Sequence, residues 1–196
     1  MRSRWAKAVV FALCLAPLAW MGWRAWSQDL TANPVEFLQH FTGNWTLRLL
    51  VATLAVTPLR KLLRLPDLIR FRRMIGLFAF FYGCLHFLTY LWLDKDFEFR
   101  EMLRDAGKRP FITAGFAALA LMAPLAVTST AGWIRRLGGK RWQLLHRLVY
   151  LSAAAAVAHY YWLVKSDVRL PLLYAGLAGL LLAYRVVERS RRPGRR

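Results

Sequence analysis

The residues of this chain that could do chemistry are its four histidines, because three of them stand within apolar segments. His86 and His159 lie in the outer halves of two such segments, and His146 lies near the opposite end of the segment that holds His159, whereas His40 precedes a segment. An ionisable residue inside a membrane span is costly and by default indicates function. Two neutral imidazoles on facing helices can hold one haem iron, and an iron with both axial positions filled favours electron transfer.

Small residues lie near both outer histidines. Gly83 stands one turn before His86, and the alanines of 153–156 precede His159, with Ser152 just before them. Small residues let helices pack closely in a membrane, and they also clear room for a flat macrocycle beside its axial ligand. We therefore predict that His86 and His159 are axial haem ligands, with a helix–helix hydrogen bond as the structural alternative for each histidine.

Two further polar residues lie within the apolar segments, and the sequence is consistent with two roles for each of them. His146 follows the run Lys140-Arg141-Trp142, so it belongs either to a second redox site near the inner face or to the lipid headgroup region. Arg48 is a lone charge in the second apolar segment. It either pairs with a haem propionate or extends its side chain to the membrane surface.

The elements that must position these residues are six apolar segments, which lie at about 8–26, 42–58, 74–93, 110–128, 142–164 and 170–187. A helix needs roughly 20 apolar residues to cross a bilayer, and lipid offers the backbone no hydrogen-bond partner, so the spans must be helical. We predict an all-α, six-span transmembrane helical bundle. Residues 1–41 form the N-terminal span and an outer loop, 42–188 the haem domain, and 189–196 a basic cytoplasmic tail.

The charges between the segments set the orientation. The chain has a formal net charge of +19, and most of its 29 lysines and arginines lie at the termini, after the second segment and after the fourth. Positive residues collect on the cytoplasmic side of membrane proteins, so we expect both termini inside. Membrane topology accounts for the basic charge, and no nucleic-acid partner is expected. The acidic residues collect on the outer side, at Asp29, Glu36, Asp94, Asp96, Glu98, Glu101, Asp105 and Asp167.

The two cysteines give no indication of a disulfide, a zinc site or a covalently attached haem. Cys14 and Cys84 both lie inside apolar segments, and the sequence has no CxxC or CxxCH motif. A disulfide framework, a zinc site and covalent haem attachment therefore have no support.

Several motifs resemble a known family. The stretches HFTGNW, TPLR, RRMIGLFAFFYGCLHFLTY and GKRWQLLHRLVYL, together with AHYYWLVK, are similar to the MsrQ (YedZ) family. The members of this family are haem-containing membrane subunits of periplasmic methionine sulfoxide reductase systems. The resemblance covers about Asn33 to Tyr184, and it extends more distantly to the transmembrane domains of ferric reductases and NADPH oxidases.

The resemblance implies a set of cofactors and ligands. It implies haem b, with His86 and His159 as the outer ligand pair and His146 as the inner histidine of the fifth helix, and it implies FMN. The inner position on the third helix falls at Arg72 or Arg73, where no histidine stands. An arginine suits a phosphate or a propionate rather than iron. We expect the inner site to hold a flavin phosphate, a quinone headgroup or a haem ligated through His146, unless these arginines only set the topology and bind lipid phosphates.

The resemblance also implies a location and partners. We expect a multi-pass protein of the bacterial inner membrane that acts as an electron-transfer subunit rather than a catalytic one. Its acceptor would be a periplasmic molybdopterin-containing reductase (MsrP-like), and its donor the quinone pool or a soluble flavin reductase. Two alternatives stay open: a stand-alone transmembrane reductase of ferric or cupric ions, for which the acidic stretch 94–105 could attract cations, and a cofactor-free transporter or assembly scaffold.

Overall fold

The computed structural model describes residues 2–190, which form helices and connecting turns with no strand among them, so the all-α prediction is confirmed for this range. Residues 191–196, which make up most of the predicted basic tail, lie outside the described part. A 3₁₀ turn, Pro66–Leu68, leads into the third helix, and a π-helical turn, Tyr90–Asp94, ends it. The helices are α1 Arg2–Trp26, α2 Pro34–Leu62, α3 Ile69–Thr89, α4 Phe99–Lys108, α5 Pro110–Val127, α6 Ala131–Leu137, α7 Gly139–Leu145, α8 Leu148–Leu163 and α9 Arg169–Ser190.

Among the described residues, four helical stretches are long and apolar enough to cross a membrane: Arg4–Trp26, Pro66–Asp94, Pro110–Val127 and Arg169–Ser190. Four such stretches are typical of a membrane protein. The helices α2 and α8 are not among the four. Arg48 interrupts the apolar part of α2, and α8 has only 16 residues, about 24 Å of helix against a hydrocarbon core of about 30 Å. The expectation of six spans and of two cytoplasmic termini therefore stays a prediction.

The fifth predicted segment, 142–164, is divided in the structure. The helix α7 ends at Leu145 and α8 begins at Leu148. In the turn between them, the backbone N–H of Arg147 donates to Leu144 and that of Tyr150 donates to Arg147, each over three residues rather than four. His146 thus lies in a tightened turn between two helices, whereas the sequence predicts one continuous helix over 142–164.

Two helix pairs form the frame of the bundle, α2 packed along α3 and α5 packed along α8. The helix α2 contributes most to the core, with Leu47, Leu50 and Leu54 buried. Ser152, fully buried on α8, donates to the backbone oxygen of Ala118 on α5 at 2.9 Å. The helix α9 packs against both α8 and α2. The bundle therefore brings α3 and α8, which carry the two outer histidines, to the same interior.

The first helix is fixed to the bundle by a buried tyrosine. The hydroxyl of Tyr82 donates to the backbone oxygen of Cys14 at 2.9 Å and accepts from the backbone N–H of Leu18 at 3.0 Å. These two backbone groups would bond to each other in an uninterrupted helix, and Pro17 lies beside them. Tyr82 thus enters the hydrogen-bond ladder of α1 and links it to α3.

An ion pair anchors the amphipathic helix α4 on the predicted outer side. The ammonium of Lys95 lies 2.6 Å from the carboxylate of Asp105, and both side chains are largely buried. The hydrogen bond between them raises the pKa of Lys95 above its ordinary value and holds the pKa of Asp105 below its own. This contact ties α4 to the turn that follows α3.

Candidate functional site

The two outer histidines face each other in the structure. His86 on α3 and His159 on α8 have ring centroids 6.0 Å apart, with their ring planes inclined at 71°. The ring centres of two imidazoles on opposite sides of one metal lie about 6 Å apart, because each metal–nitrogen bond is about 2 Å long and each ring centre lies roughly 1 Å beyond its nitrogen. The structure therefore brings together the two residues that the sequence predicts as a ligand pair, at the spacing that shared ligation requires.

The hydrogen bonds of the two rings determine which nitrogen is available. Nδ1 of His86 lies 3.1 Å from the backbone oxygen of Gln39, and Nδ1 of His159 lies 2.6 Å from the backbone oxygen of Phe111. A carbonyl oxygen can only accept, so each neutral ring carries its proton on Nδ1 and leaves Nε2 with a free lone pair. Metal-ligating histidines commonly donate their second ring N–H to such a carbonyl. Both rings are held in the form that binds a metal.

Both rings line an outer cavity of about 320 Å³. Its volume falls at the lower end of the roughly 300–1,000 Å³ range of small-molecule sites. The wall is mainly apolar and includes Leu119 and Phe116. Polar residues also line it, among them Gln39, His40, Asn44, Tyr90, Asp94 and Arg109. An apolar body with a few polar groups suits a flat hydrophobic cofactor that carries carboxylates.

The ligand set around this cavity discriminates between a bare metal ion and a haem. Within residues 2–190, no group of three His, Cys, Asp or Glu side chains is placed to hold a metal ion. Two imidazoles alone are too few for a structural or catalytic zinc ion, which takes at least three protein ligands. They suffice for an iron that brings its equatorial nitrogens in a macrocycle. The residues present therefore fit a haem better than a free ion.

The small residues near the histidines serve partly in packing and partly in the cavity. Gly83 and Ala156 line the outer cavity. Ser152 and Ala153 are fully buried, and Ser152 is bonded to α5. Small residues thus both pack the helices together and line the cavity, at different positions, and the use of the cavity by a macrocycle stays a prediction.

A second cavity, of about 520 Å³, lies towards the predicted cytoplasmic side. It brings together the other predicted site residues, His146, Arg72 and Arg73, with Trp142 beside them. The rings of Trp142 and His146 stack at 3.9 Å between centroids. The buried Met122 lines both cavities, so the inner cavity adjoins the outer one.

Two residues that the sequence did not single out contact side chains that line the inner cavity. Thr128, at the end of α5, has its hydroxyl 3.0 Å from Nε2 of His146. Arg185 on α9 donates to the hydroxyl of Tyr150 at 2.9 Å and to the backbone oxygen of Leu54 at 2.8 Å. Arg185 lies near the end of the last predicted apolar segment, and its reach into the bundle has no signature in the local sequence.

Arg48, a predicted cofactor-binding residue, lines neither of these two cavities. Its Nε donates to the hydroxyl of Tyr174 at 3.3 Å, and its guanidinium lies 5.0 Å from the ring centre of Trp45. The side chain is directed to α9 and to the surface of the bundle. Of the two readings from the sequence, this placement favours a surface-directed arginine, and a role in cofactor binding stays a prediction.

Comparison with known proteins gives consistent matches over nearly the whole chain. A family model described as ferric reductase like transmembrane component matches residues 42–157. A relative from Rhodospirillum rubrum, named protein-methionine-sulfoxide reductase heme-binding subunit MsrQ, is 52% identical over 99% of this chain and 94% of its own length. Two further relatives of the same name are each 51% identical to this chain. The match to the relative from Herminiimonas arsenicoxydans covers 92% of this chain and 84% of the relative, and the match to that from Bordetella parapertussis covers 96% of this chain and 92% of the relative.

Proposed function

This chain belongs to the MsrQ family, within the wider ferric reductase-like transmembrane family, and we propose that it carries electrons across the bacterial inner membrane through a b-type haem held by His86 and His159. The family supports a membrane haem electron-transfer role. The observation that carries the residue assignment is the pair of facing imidazoles, 6.0 Å apart, each donating through Nδ1 to a backbone carbonyl.

Different residues of the outer cavity would bind different parts of a haem. His86 and His159 would hold the haem through their two free Nε2 lone pairs. A haem held by two histidines would exchange electrons rather than bind a substrate. The apolar wall excludes water, which strengthens the electrostatic interactions of the site. Arg109 lines the cavity and lies 3.9 Å from the carboxylate of Asp105. Its guanidinium would also suit a carboxylate of the haem. A bound haem would supply one-electron exchange at this position.

The inner cavity is the proposed place where electrons enter. Arg72, Arg73 and Arg147 line it and suit a phosphate or a carboxylate, and Trp142 and His146 offer a stacked aromatic surface. We assign to this cavity a flavin phosphate such as that of FMN, a quinone headgroup or a haem ligated through His146. Lipid phosphate is the competing occupant, because basic residues at the inner membrane surface also attract anionic lipids.

The proposed partners follow from the family and the proposed topology. With six spans and both termini in the cytoplasm, the outer cavity faces the periplasm, where a molybdopterin-containing methionine sulfoxide reductase (MsrP-like) would accept the electrons. The donor would be the quinone pool or a soluble flavin reductase. The chain would then act as the electron-transfer subunit of a system that repairs oxidised methionines.

The test uses the purified, detergent-solubilised protein and two acceptors. A low-spin haem spectrum, followed by faster reoxidation of the reduced protein with the periplasmic reductase and methionine sulfoxide than with ferric citrate, is the expected result. Faster reoxidation by ferric citrate would favour a stand-alone metal-ion reductase. Colourless protein, produced in cells supplied with haem precursor, would favour the cofactor-free alternative.

A further inference from the structure

Each of the two facing histidines rests against a glycine of a neighbouring helix. A Cβ atom built at Gly43 on α2 would lie 3.1 Å from Cε1 of His86, and one at Gly115 on α5 would lie 2.9 Å from Nδ1 of His159. We infer that Gly43 and Gly115 are positioning residues, which admit each imidazole to the helix surface where its Nδ1–H reaches a backbone carbonyl. This inference rests on the proposed haem ligation by the two histidines.

The same arrangement occurs twice in the bundle. On α2, the carbonyl that accepts from His86 belongs to Gln39, four residues before Gly43. On α5, the carbonyl that accepts from His159 belongs to Phe111, four residues before Gly115. Residues four apart lie on the same face of a helix. Each histidine therefore meets one helical face that offers a carbonyl at one turn and a glycine at the next.

The distances explain why a side chain is excluded at these two positions. Carbon and nitrogen atoms in ordinary van der Waals contact stand about 3.5–4.0 Å apart. The Cβ of an alanine at position 115 would lie well inside this distance from the ring atom that donates to Phe111, so the ring must move and its hydrogen bond must lengthen. At position 43 the clash is milder, and a displacement of a few tenths of an ångström relieves it.

A displaced ring loses the hydrogen bond that fixes its tautomer and direction. Loss of such an outer partner of a metal-ligating histidine costs about 10–100-fold in metal affinity. Donation to a carbonyl also makes the imidazole a more basic ligand, which favours the oxidised iron. Gly115→Ala is therefore expected to weaken haem binding by about 10–100-fold and to raise the midpoint potential of the haem that remains. Gly43→Ala should act in the same direction with a smaller effect.

The matched control is another glycine of a long apolar helix. A Cβ at Gly176 on α9 would meet nothing within 4 Å. Alanine favours a helix more than glycine does, so Gly176→Ala should fold at least as well as the parent and keep its haem content and potential. The same substitution thus has opposite expected consequences at positions 115 and 176.

The experiment measures haem per polypeptide, the absorption spectrum and the spectroelectrochemical midpoint potential of the parent and the three variants, with helix content from circular dichroism. Reduced haem retention and a raised potential in Gly115→Ala, at parental helix content, would support the inference. Parental values in both Gly115→Ala and Gly43→Ala would overturn it, whereas a parent without haem would overturn the proposed function itself. If Gly115→Ala loses its helix content, Gly43→Ala decides by the same readouts, and loss of the fold in both variants would assign these glycines to packing and overturn the inference.

Discussion

The Nε2 atom of His146 lies 3.0 Å from the hydroxyl oxygen of Thr128, and that hydroxyl donates its own proton to the backbone oxygen of Pro124 at 2.6 Å. The hydroxyl must therefore accept from His146, whose neutral ring carries its proton on Nε2 and keeps Nδ1 free. The outer pair has the opposite arrangement, with Nε2 free. The inner and outer histidines thus present different nitrogens to their cavities.

The first prediction concerns the inner cavity. His146→Ala, or Arg72→Ala combined with Arg73→Ala, should lower the FMN or inner haem content per polypeptide severalfold while the outer haem stays, because only the inner cavity loses its polar groups. Arg141→Ala is the control, since Arg141 is exposed and does not line the cavity. One haem in every variant, with unchanged FMN, would remove the case for an inner cofactor.

The second prediction tests how α1 is held. Tyr82→Phe removes the hydroxyl that bridges Leu18 and Cys14, so two backbone groups lose a buried partner. The expected cost is about 1 kcal/mol or more, visible as a lower thermal unfolding midpoint in detergent. Tyr184→Phe, at an exposed position of α9, should leave the midpoint unchanged. Equal midpoints for the two variants would show that the bridge contributes nothing to stability.

The sequence was sufficient to predict that His86 and His159 meet and that the inner residues share one cavity, since both follow from the depth of particular residues within apolar segments. That the two histidines bind a haem stays a prediction. His86 and His159 stand at similar depths and meet in the structure, and Arg72 shares a cavity with His146 as its position four turns before His86 suggests. Depth is a one-dimensional property, and a sequence displays it directly.

Other features depend on packing and could not be predicted. The groups that accept hydrogen bonds from His86 and His159 are the backbone carbonyls of Gln39 and Phe111. Backbone carbonyls occur at every residue, so the sequence does not indicate which of them accept. The tightened turn at His146 contains neither proline nor glycine, so the sequence predicted one continuous helix. Arg48 has the depth of a cofactor ligand, but its direction is set by the rotation of α2 against α9, where Tyr174 lies.

The third prediction addresses topology. In a Cys14→Ala/Cys84→Ala background, a cysteine introduced by Glu98→Cys should react with a membrane-impermeant maleimide in intact spheroplasts. One introduced by Leu65→Cys should react only after permeabilisation, because the basic residues around position 65 favour the cytoplasm. The reverse pattern would invert the assignment of inner and outer cavities.

The fourth prediction concerns the ion pair that anchors α4. Its contribution should be complete between about pH 4 and pH 10, the ordinary pKa values of the two groups. It is lost as the pH falls through the lowered pKa of Asp105, or rises through the raised pKa of Lys95. Asp105→Ala should therefore speed amide exchange in α4 about fivefold at pH 7, for a loss of about 1 kcal/mol. The control is Glu101→Ala, and equal exchange in the parent and Asp105→Ala would contradict the anchor.

The most direct test of the account is the low-spin haem signal of purified His86→Ala and His159→Ala proteins, measured by absorption and low-temperature electron paramagnetic resonance beside the parent and His40→Ala. If the two imidazoles hold the outer haem as proposed, removing either one would take away one of its two protein ligands and leave the other ring facing a mainly apolar wall. Ligation by both histidines predicts that the parent and His40→Ala show a bis-histidine low-spin signal, and that this signal is lost in His86→Ala and in His159→Ala. A full complement of bis-histidine low-spin haem in either His86→Ala or His159→Ala would contradict the assignment of that histidine as a ligand.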